Sequence, residues 1–193
     1  MIIPIRIRLT PDTLRLAKQL GLKRSGSMND RDTPHSHNPK MNSKVRHITG
    51  AEAEYVYSDH SGDPVDTWTI GKGDDGTDFP GGVDVKGSKI ENMPNLLIDQ
   101  EAWERKIPKI YVLVWVQNLK FKRLDSLILG WITREQADEV KYEVLEGERG
   151  CVTDNWWIDF EYLHPMSELI IPAPAKIWTP SDTASQGLQL QLF

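Results

Sequence analysis

The stretch from 73 to 88, GDDGTDFPGGVDVKGS, constrains the fold of this chain more than any other. The Pro-Gly-Gly sequence at 80–82 suits a three-residue hairpin loop, in which a glycine takes the left-handed backbone conformation. Such a loop sets Phe79 against Val83 on the neighbouring strand. The stretch therefore predicts a β-hairpin at this point of the chain.

This register places Asp78 directly opposite Asp84, with Cβ atoms about 5 Å apart, and Lys86 points to the same face. Two carboxylates that close cannot both ionise cheaply unless a cation lies between them. A site made only of oxygen ligands favours a hard cation such as Mg²⁺ or Mn²⁺. The alternative interpretation is a solvated hairpin with alternating charges, which a bare DxK sequence would favour.

The acid, the glycine turn and the Asp84-Val85-Lys86 sequence resemble the PD-(D/E)xK nuclease superfamily, and are most similar to its small phage-type members. The resemblance covers roughly residues 45–170, and Thr77 stands where the superfamily's name has proline. It implies an α/β (α+β) fold with a restriction-endonuclease-like core, in which helices flank a central mixed β-sheet.

The resemblance also implies a metal-dependent nuclease, in particular an endonuclease, that hydrolyses DNA phosphodiester bonds with low sequence specificity during replication, recombination or repair of phage or bacterial DNA. Its cofactor would be one or two Mg²⁺ or Mn²⁺ ions, ligated by Glu54, Asp78, Asp84 and the carbonyl of Val85. Lys86 would orient or deprotonate the attacking water or stabilise the charged phosphate, and the sequence leaves these roles open. Many relatives act as homodimers to cut both strands.

A helix predicted over 45–58 carries the third acid of this site. Glu52 and Glu54 are about 200° apart around a helix, so at most one of them faces the hairpin. The family pattern Gly-Ala-x-Ala-Glu assigns that position to Glu54 and leaves Glu52 in solvent. The alternative is that Glu54 is solvent-exposed as well.

Apolar periodicity predicts most of the other elements. Residues 1–9 alternate as an edge strand, and a helix capped by Thr10 ends at Gly21. The apolar run 109–116 predicts a strand buried on both faces, and the family places a polar site residue near its end, at Gln117. A strand-end polar group is the alternative for Gln117. Further elements are strands at 65–70, 95–98 and 127–132, and a helix begun by the capping box Thr133–Gln136.

The charge of the chain is unevenly distributed. Its net charge is −5, yet residues 1–50 hold ten basic against three acidic residues, and residues 51–193 hold 13 against 25. A basic arm on an acidic body would hold a DNA backbone near a metal site, and a charged arm without a partner is the alternative. The predicted phosphate-binding residues are Arg6, Arg8, Lys23, Arg24, Arg31, Lys40, Lys44 and Arg46.

The single cysteine, Cys151, excludes an internal disulfide and is compatible with a reducing compartment. The sequence contains no apolar run of about 20 residues and no signal-peptide pattern at its start. We therefore expect a cytoplasmic protein with no membrane partner, located in a bacterial host cell if it is phage-encoded.

The end of the sequence resembles a peptide that binds the bacterial sliding clamp. A segment rich in Pro, Ser and Thr precedes Gln-Leu-Gln-Leu-Phe, which is similar to the motif Gln-Leu-Ser/Asp-Leu-Phe. The resemblance implies that Leu192 and Phe193 are apolar anchors, with Gln189 and Leu190 beside them. An apolar tail that packs on its own domain or on a second copy is the alternative.

Three units follow from these patterns: a basic strand, helix and loop at 1–44, a nuclease core at 45–171, and a flexible tail at 172–193. A non-catalytic DNA- or clamp-binding module on a restriction-like fold is the main alternative to an enzyme. A structural virion or assembly protein is a third class, but it gives the clustered acids no task.

Overall fold

The computed structural model describes residues 3–28, 43–67, 77–90, 92, 94–105, 107–119, 122–146, 148 and 154–170. It has a mixed α/β architecture, in which helices flank a mixed β-sheet, as the sequence predicts. Two 3₁₀ turns, Phe160–Tyr162 and Met166–Glu168, lie near the end of the described residues.

Two long helices pack against each other before the main sheet begins. Helix α1 spans Pro11–Met28 and helix α2 spans Ser43–Ser61. The predicted start of α1 is confirmed, since Thr10 Oγ1 accepts a hydrogen bond from the Thr13 N–H at 3.1 Å. The predicted end at Gly21 is wrong. Glycine is needed there because a Cβ atom would lie 2.5 Å from the Ile48 Cα of α2.

The main sheet has four strands, which are β1 Ile5–Ile7, β2 Val83–Ser88, β4 Ile110–Trp115 and β5 Ser126–Thr133. Their order in the sheet is β1-β5-β4-β2. Strand β1 is antiparallel to β5, β5 is antiparallel to β4, and β4 is parallel to β2. Strand β1 is confirmed as an edge strand, and β4 is buried between its neighbours, as its apolar run predicts. The predicted strand at 65–70 is not formed over 65–67, and its remainder lies outside the described residues.

A second sheet and two short helices complete the fold. The second sheet has the order β3-β7-β6, from Leu96–Asp99, Asn155–Ile158 and Tyr142–Val144. Helix α3 spans Gln100–Arg105 and helix α4 spans Arg134–Val140. Among the described residues, no helix is long and apolar enough to cross a membrane.

The two faces of the main sheet bury separate apolar clusters. Val83 and Val85 of β2 pack with Ala53 and Val56 of α2 on one face. On the other face, Tyr111 and other side chains of β4 and β5 pack with the second sheet and with α3 and α4. Alternate residues of β2 therefore point to opposite layers.

The capping box at the start of α4 is confirmed and makes a testable contribution to stability. Thr133 Oγ1 accepts from the Gln136 N–H at 3.1 Å, and Gln136 Oε1 accepts from the Thr133 N–H at 3.2 Å. We expect Thr133→Ala to lower the free energy of unfolding by about 1 kcal/mol and Tm by about 2–4 °C. Thr133→Ser, which keeps the oxygen, should lose much less in the same thermal melt. Equal melts for all three proteins would contradict this role.

Candidate active site

Strand β2 places an acid and a lysine side by side on one face of the sheet. Asp84 and Lys86 are two residues apart, and Lys86 Nζ lies 3.0 Å from Asp84 Oδ1 and 2.7 Å from Oδ2. The Asp84 residue is only 4% exposed, so this ion pair is screened little by solvent. The predicted placement of Asp84 and Lys86 on the same face is confirmed.

The predicted hairpin is confirmed at its loop but not beyond it. Phe79 and Val83 form an antiparallel bridge around the 80–82 loop, in which Gly81 and Gly82 both have a φ of 82°. The prediction that Asp78 pairs with Asp84 across a ladder is wrong, because the Asp78 N–H donates to the Val83 carbonyl. Asp78 Oδ2 instead accepts the Val85 N–H at 2.7 Å.

The backbone of β2 explains that contact. The carbonyls of Gly82 and Ser88 accept hydrogen bonds from the β4 side of the sheet. Strand alternation therefore turns the backbone groups of Val85 towards the outer edge of β2. There the Val85 N–H meets Asp78, and the Val85 carbonyl points to the same edge.

Helix α2 brings Glu54 to this edge from the opposite face of the sheet. The helix lies against β2 at backbone distance, since a Cβ atom on Gly87 would be 2.7 Å from the Thr49 carbonyl oxygen and 2.9 Å from the Ala53 Cβ. Glu54 follows Ala53 and is 5% exposed. Glu54 thus approaches the edge from the α2 layer and Asp84 approaches it from the other layer, and both carboxylates are near enough to act electrostatically on Asp78.

The charge on Asp78 is strongly disfavoured by its surroundings. Burial of the carboxyl group, followed by the nearby carboxylates Glu54 and Asp84, raises the Asp78 pKa well above its usual value. The Val85 N–H and the Lys86 ammonium oppose this shift without cancelling it. Asp78 therefore keeps its proton to a higher pH than an ordinary carboxyl group does.

Lys86 keeps its proton. Burial favours its neutral form, but the Asp84 carboxylate, with a further contribution from Asp78, outweighs burial and raises the Lys86 pKa. The lysine is therefore an ammonium ion near neutral pH, which is suited to stabilising negative charge and not to accepting a proton.

Two residues that sequence analysis did not assign to the site belong to its surroundings. Arg24 of α1 binds the Glu54 carboxylate with both terminal nitrogens, at 2.9 Å for Nη2 to Oε2, and Nη2 donates to the Asp66 carbonyl at 3.0 Å. Tyr111 of β4 is the register partner of Asp84, and its hydroxyl accepts from Arg134 at 3.1 Å. The sequence predicts Arg24 as a phosphate-binding residue from its charge, and no local signal indicates its partner thirty residues away.

Glu52 is buried, whereas the sequence predicts it to be exposed to solvent. It is 9% exposed, and its carboxylate pairs with Lys89, which follows β2. The prediction of a solvated Glu52 is therefore wrong, since both glutamates of α2 are buried, each against a different basic side chain.

The structure does not bring Gln117 to the other candidate residues. Strand register sets Lys86 beside Leu113, and Gln117 lies four residues farther, about 13 Å along the chain direction. Its backbone N–H donates to Ser126 Oγ at 2.9 Å. Its position fits the strand-end alternative.

The candidate phosphate-binding residues are dispersed. Arg6 lies within β1, Arg8 follows it, and both contact Asp125. Lys23, Lys44 and Arg46 are exposed on the two long helices. The remaining predicted contacts lie outside the described residues: Arg31, Lys40 and the tail residues Gln189, Leu190, Leu192 and Phe193.

Within the described ranges, no group of three or more His, Cys, Asp or Glu side chains is arranged to hold a metal ion. Glu54 and Asp84 approach from opposite faces of β2, and each has a basic partner. Comparisons of the chain with protein-family models, curated proteins and solved structures found no match.

Proposed function

We propose that this protein is a metal-dependent nuclease that hydrolyses DNA phosphodiester bonds at the outer edge of β2. The observation that carries the proposal is the Asp78 carboxyl, whose ionisation is disfavoured by burial and by the nearby Glu54 and Asp84, with the Lys86 ammonium paired to Asp84 beside it. A folded protein gains no stability from this repulsion, so a role in binding or catalysis accounts for it better.

The arrangement of elements supports a restriction-endonuclease-like core as the finer description of the fold. The acid-bearing strand β2 lies at a sheet edge, follows the glutamate-bearing helix α2, and is joined through β3 and α3 to its parallel neighbour β4. This order of helix, acidic turn and DxK strand is the one on which the sequence resemblance depends.

The oxygen donors are of the chemical type that a hard divalent cation prefers, although within the described residues they are not arranged as a metal-binding group. Glu54, Asp78, Asp84 and the Val85 carbonyl would hold Mg²⁺ or Mn²⁺ through oxygen atoms, and a cation among these acids would remove the penalty for ionising Asp78. Such an ion, when bound, supplies charge stabilisation for the phosphate and lowers the pKa of a water molecule.

The protein's own side chains then have distinct roles. Lys86, protonated and held by Asp84, stabilises negative charge that develops on the phosphate, which favours this role over that of a general base. The Val85 N–H fixes the orientation of the Asp78 carboxyl. Arg24 holds the Glu54 side chain against α1 and so sets how far it reaches towards the edge.

A second candidate function is a non-catalytic DNA- or clamp-binding module. The observation that favours it is that Arg24 and Lys86 already neutralise Glu54 and Asp84, which is how buried acids are stabilised in a structural role. The two candidates differ in whether added metal produces turnover.

The deciding experiment measures cleavage of supercoiled plasmid incubated with the purified protein in Mg²⁺, in Mn²⁺ and in EDTA. Asp84→Asn is the matched variant. Asn keeps the shape of the side chain but removes its charge. We expect cleavage that requires the metal and falls at least about a hundredfold in the variant, which should still bind DNA. Nicked circles would indicate single-strand cuts, and linear products would indicate paired cuts.

Equal cleavage by both proteins would exclude Asp84 from the site and assign the activity to a contaminant or to other residues. If supercoiled, linear, flapped and branched DNA all remain intact with either metal, the nuclease proposal fails and the binding module replaces it.

A further inference from the structure

A basic depression lies at the corner of the main sheet farthest from the acidic edge. It is an open cavity of about 290 Å³ between β1 and the turn that joins β4 to β5. Four basic side chains line it, together with one carboxylate: Arg6, Arg8, Lys122, Arg123 and Asp125. The sequence predicts Arg6 and Arg8 as phosphate-binding residues from their charge alone, and it does not indicate that Lys122 and Arg123 lie beside them.

The single carboxylate organises this corner without neutralising it. Asp125 accepts a hydrogen bond from Arg8 Nε and lies 3.6 Å from Arg6 Nε. Its side chain is 16% exposed, whereas those of Arg6 and Arg8 are 75% and 64% exposed. The carboxylate therefore aligns two arginines whose guanidinium groups remain open to solvent, and the corner keeps a net positive charge.

Arg123 is held at the base of the turn by two contacts. Its guanidinium donates to the Val116 carbonyl and stacks on Trp115, with Cζ 3.8 Å from the ring centroid. Burial lowers the Arg123 pKa, and no hydrogen-bond partner for its Nε lies within the described residues. Within the described part of the chain this guanidinium pairs with no carboxylate, so it adds to the positive charge of the corner.

Lys122 adopts a backbone conformation that lysine disfavours. Its φ is 58°, in the left-handed region, within a turn closed by the Asn118–Arg123 bridge. Glycine would adopt this conformation without a steric penalty. A lysine here projects a charge at the tip of the corner where the backbone alone would favour glycine.

We propose that this corner binds the phosphodiester backbone of nucleic acid, as an anchoring site separate from the acidic edge. The choice of nucleic acid as the anion rests on the proposed function. Asp84 pairs in register with Tyr111, and the turn bridge begins seven residues farther along the chain, at Asn118. The separation along the strand direction alone is roughly 23 Å at 3.3 Å per residue, and the two sites also lie at opposite edges of the four-stranded sheet, so a duplex of more than about seven base pairs would be needed to span both.

The test measures the affinity of a fluorescently labelled 30-base-pair duplex by anisotropy, in EDTA so that no cleavage occurs. The variants are Arg6→Gln, Lys122→Gly and the double variant; Gly suits the turn, and Arg123 is kept because it supports the fold. The control is Arg15→Gln, which removes one exposed charge from α1, where Arg15 pairs locally with Asp12.

We expect each corner variant to bind about three- to tenfold more weakly, with the slope of log K against log salt reduced by about one per lost contact. The control should change affinity less than about twofold. Wild-type affinity and salt slope in the double variant would overturn the proposal. Selective binding of pyrophosphate at this corner, with no affinity for duplex, would also overturn the assignment to nucleic acid.

The result is independent of turnover. If the corner variants lose affinity while plasmid remains uncut by the wild-type protein in Mg²⁺ and Mn²⁺, the anchoring site stands and the nuclease proposal falls. If cleavage is metal-dependent but the double variant binds DNA as the wild type does, the nuclease stands and the anchoring site falls.

Discussion

Asp78→Asn should raise the thermal stability of the protein and at the same time lower DNA cleavage roughly a thousandfold. The gain in stability is expected because the variant removes a carboxyl whose ionisation is opposed by burial and by Glu54 and Asp84. Asn still offers an oxygen to the Val85 N–H, so the local hydrogen bond is kept. A rise in Tm of a few degrees in EDTA, measured beside plasmid cleavage in Mg²⁺, would bear out both effects.

The gain in thermal stability from Asp78→Asn should increase with pH. Because the folded-state pKa of Asp78 is raised, the folded protein binds this proton more tightly than the unfolded chain does. The contribution of Asp78 to wild-type stability is therefore fully present below the ordinary carboxyl pKa, and it is lost as the pH rises through the raised pKa of the folded state. We expect the difference in Tm between the variant and the wild type to widen as the pH rises above the ordinary carboxyl pKa of about 4.

Asp125→Asn is the matched control for this result, since it makes the same chemical change at an acid of opposite character. The Arg8 hydrogen bond and the charges of Arg8 and Arg6 lower the pKa of Asp125, so removing this carboxylate should not stabilise the protein. A fall in Tm for Asp78→Asn, or an equal rise for both variants, would contradict the electrostatic account of the site. Undiminished cleavage by Asp78→Asn would remove that residue from the proposed mechanism.

Gly21→Ala should cost about 3 kcal/mol of unfolding free energy and lower Tm by about 6–12 °C. A Cβ atom at this position would lie 2.5 Å from the Ile48 Cα, 2.7 Å from its nitrogen and 2.8 Å from the His47 carbonyl oxygen. These are backbone atoms of α2 and cannot rotate away as a side chain would. The two helices must therefore separate, although alanine is the better helix former.

Gly50→Ala in α2 is the control, because its added Cβ atom would meet nothing within 4 Å. This variant should be stabilised by up to about 1 kcal/mol through helix propensity alone. Denaturant melts of both variants would separate packing from propensity. Equal stability of Gly21→Ala and the wild type would show that α1 does not lie on α2 at backbone distance.

Gly21→Ala should also affect the candidate site, which is connected to Gly21 through one turn of α1. Arg24 lies three residues after Gly21 on α1 and holds Glu54 of α2. Separation of the helices would lengthen this ion pair, so Gly21→Ala should impair cleavage even at temperatures where the variant remains folded. Restored activity at lower temperature would instead indicate a loss of folded protein only.

Sequence patterns predicted the local features of this protein well. The loop at 80–82, the Thr10 cap, the capping box at Thr133 and the buried strand β4 all depend on residues within a few positions of one another. Their spacing fixes backbone conformation directly, so no distant partner is needed to predict them. The shared face of Asp84 and Lys86 belongs to the same class, because strand alternation alone decides it.

Predictions failed where a distant segment overrode a local signal. Glycine usually ends a helix, yet Gly21 lies within α1 because α2 passes too close for a side chain. Glu52 has the appearance of a solvated helix residue, yet Lys89 reaches it from beyond β2. The direct pairing of Asp78 with Asp84 failed because Asp78 turned its carboxyl to the backbone of β2 instead of extending the ladder.

The sequence by itself determined which residues form the turn, the caps and the strands, and which acids and lysine are available for chemistry. Only the tertiary structure decided how those charges are shared: Arg24 with Glu54, Lys86 with Asp84, and both Arg6 and Arg8 with Asp125. The physical reason is that local geometry follows from steric and hydrogen-bonding rules over a few residues. The partner of a charge depends instead on which remote segments the packing of helices and strands brings within a few ångströms.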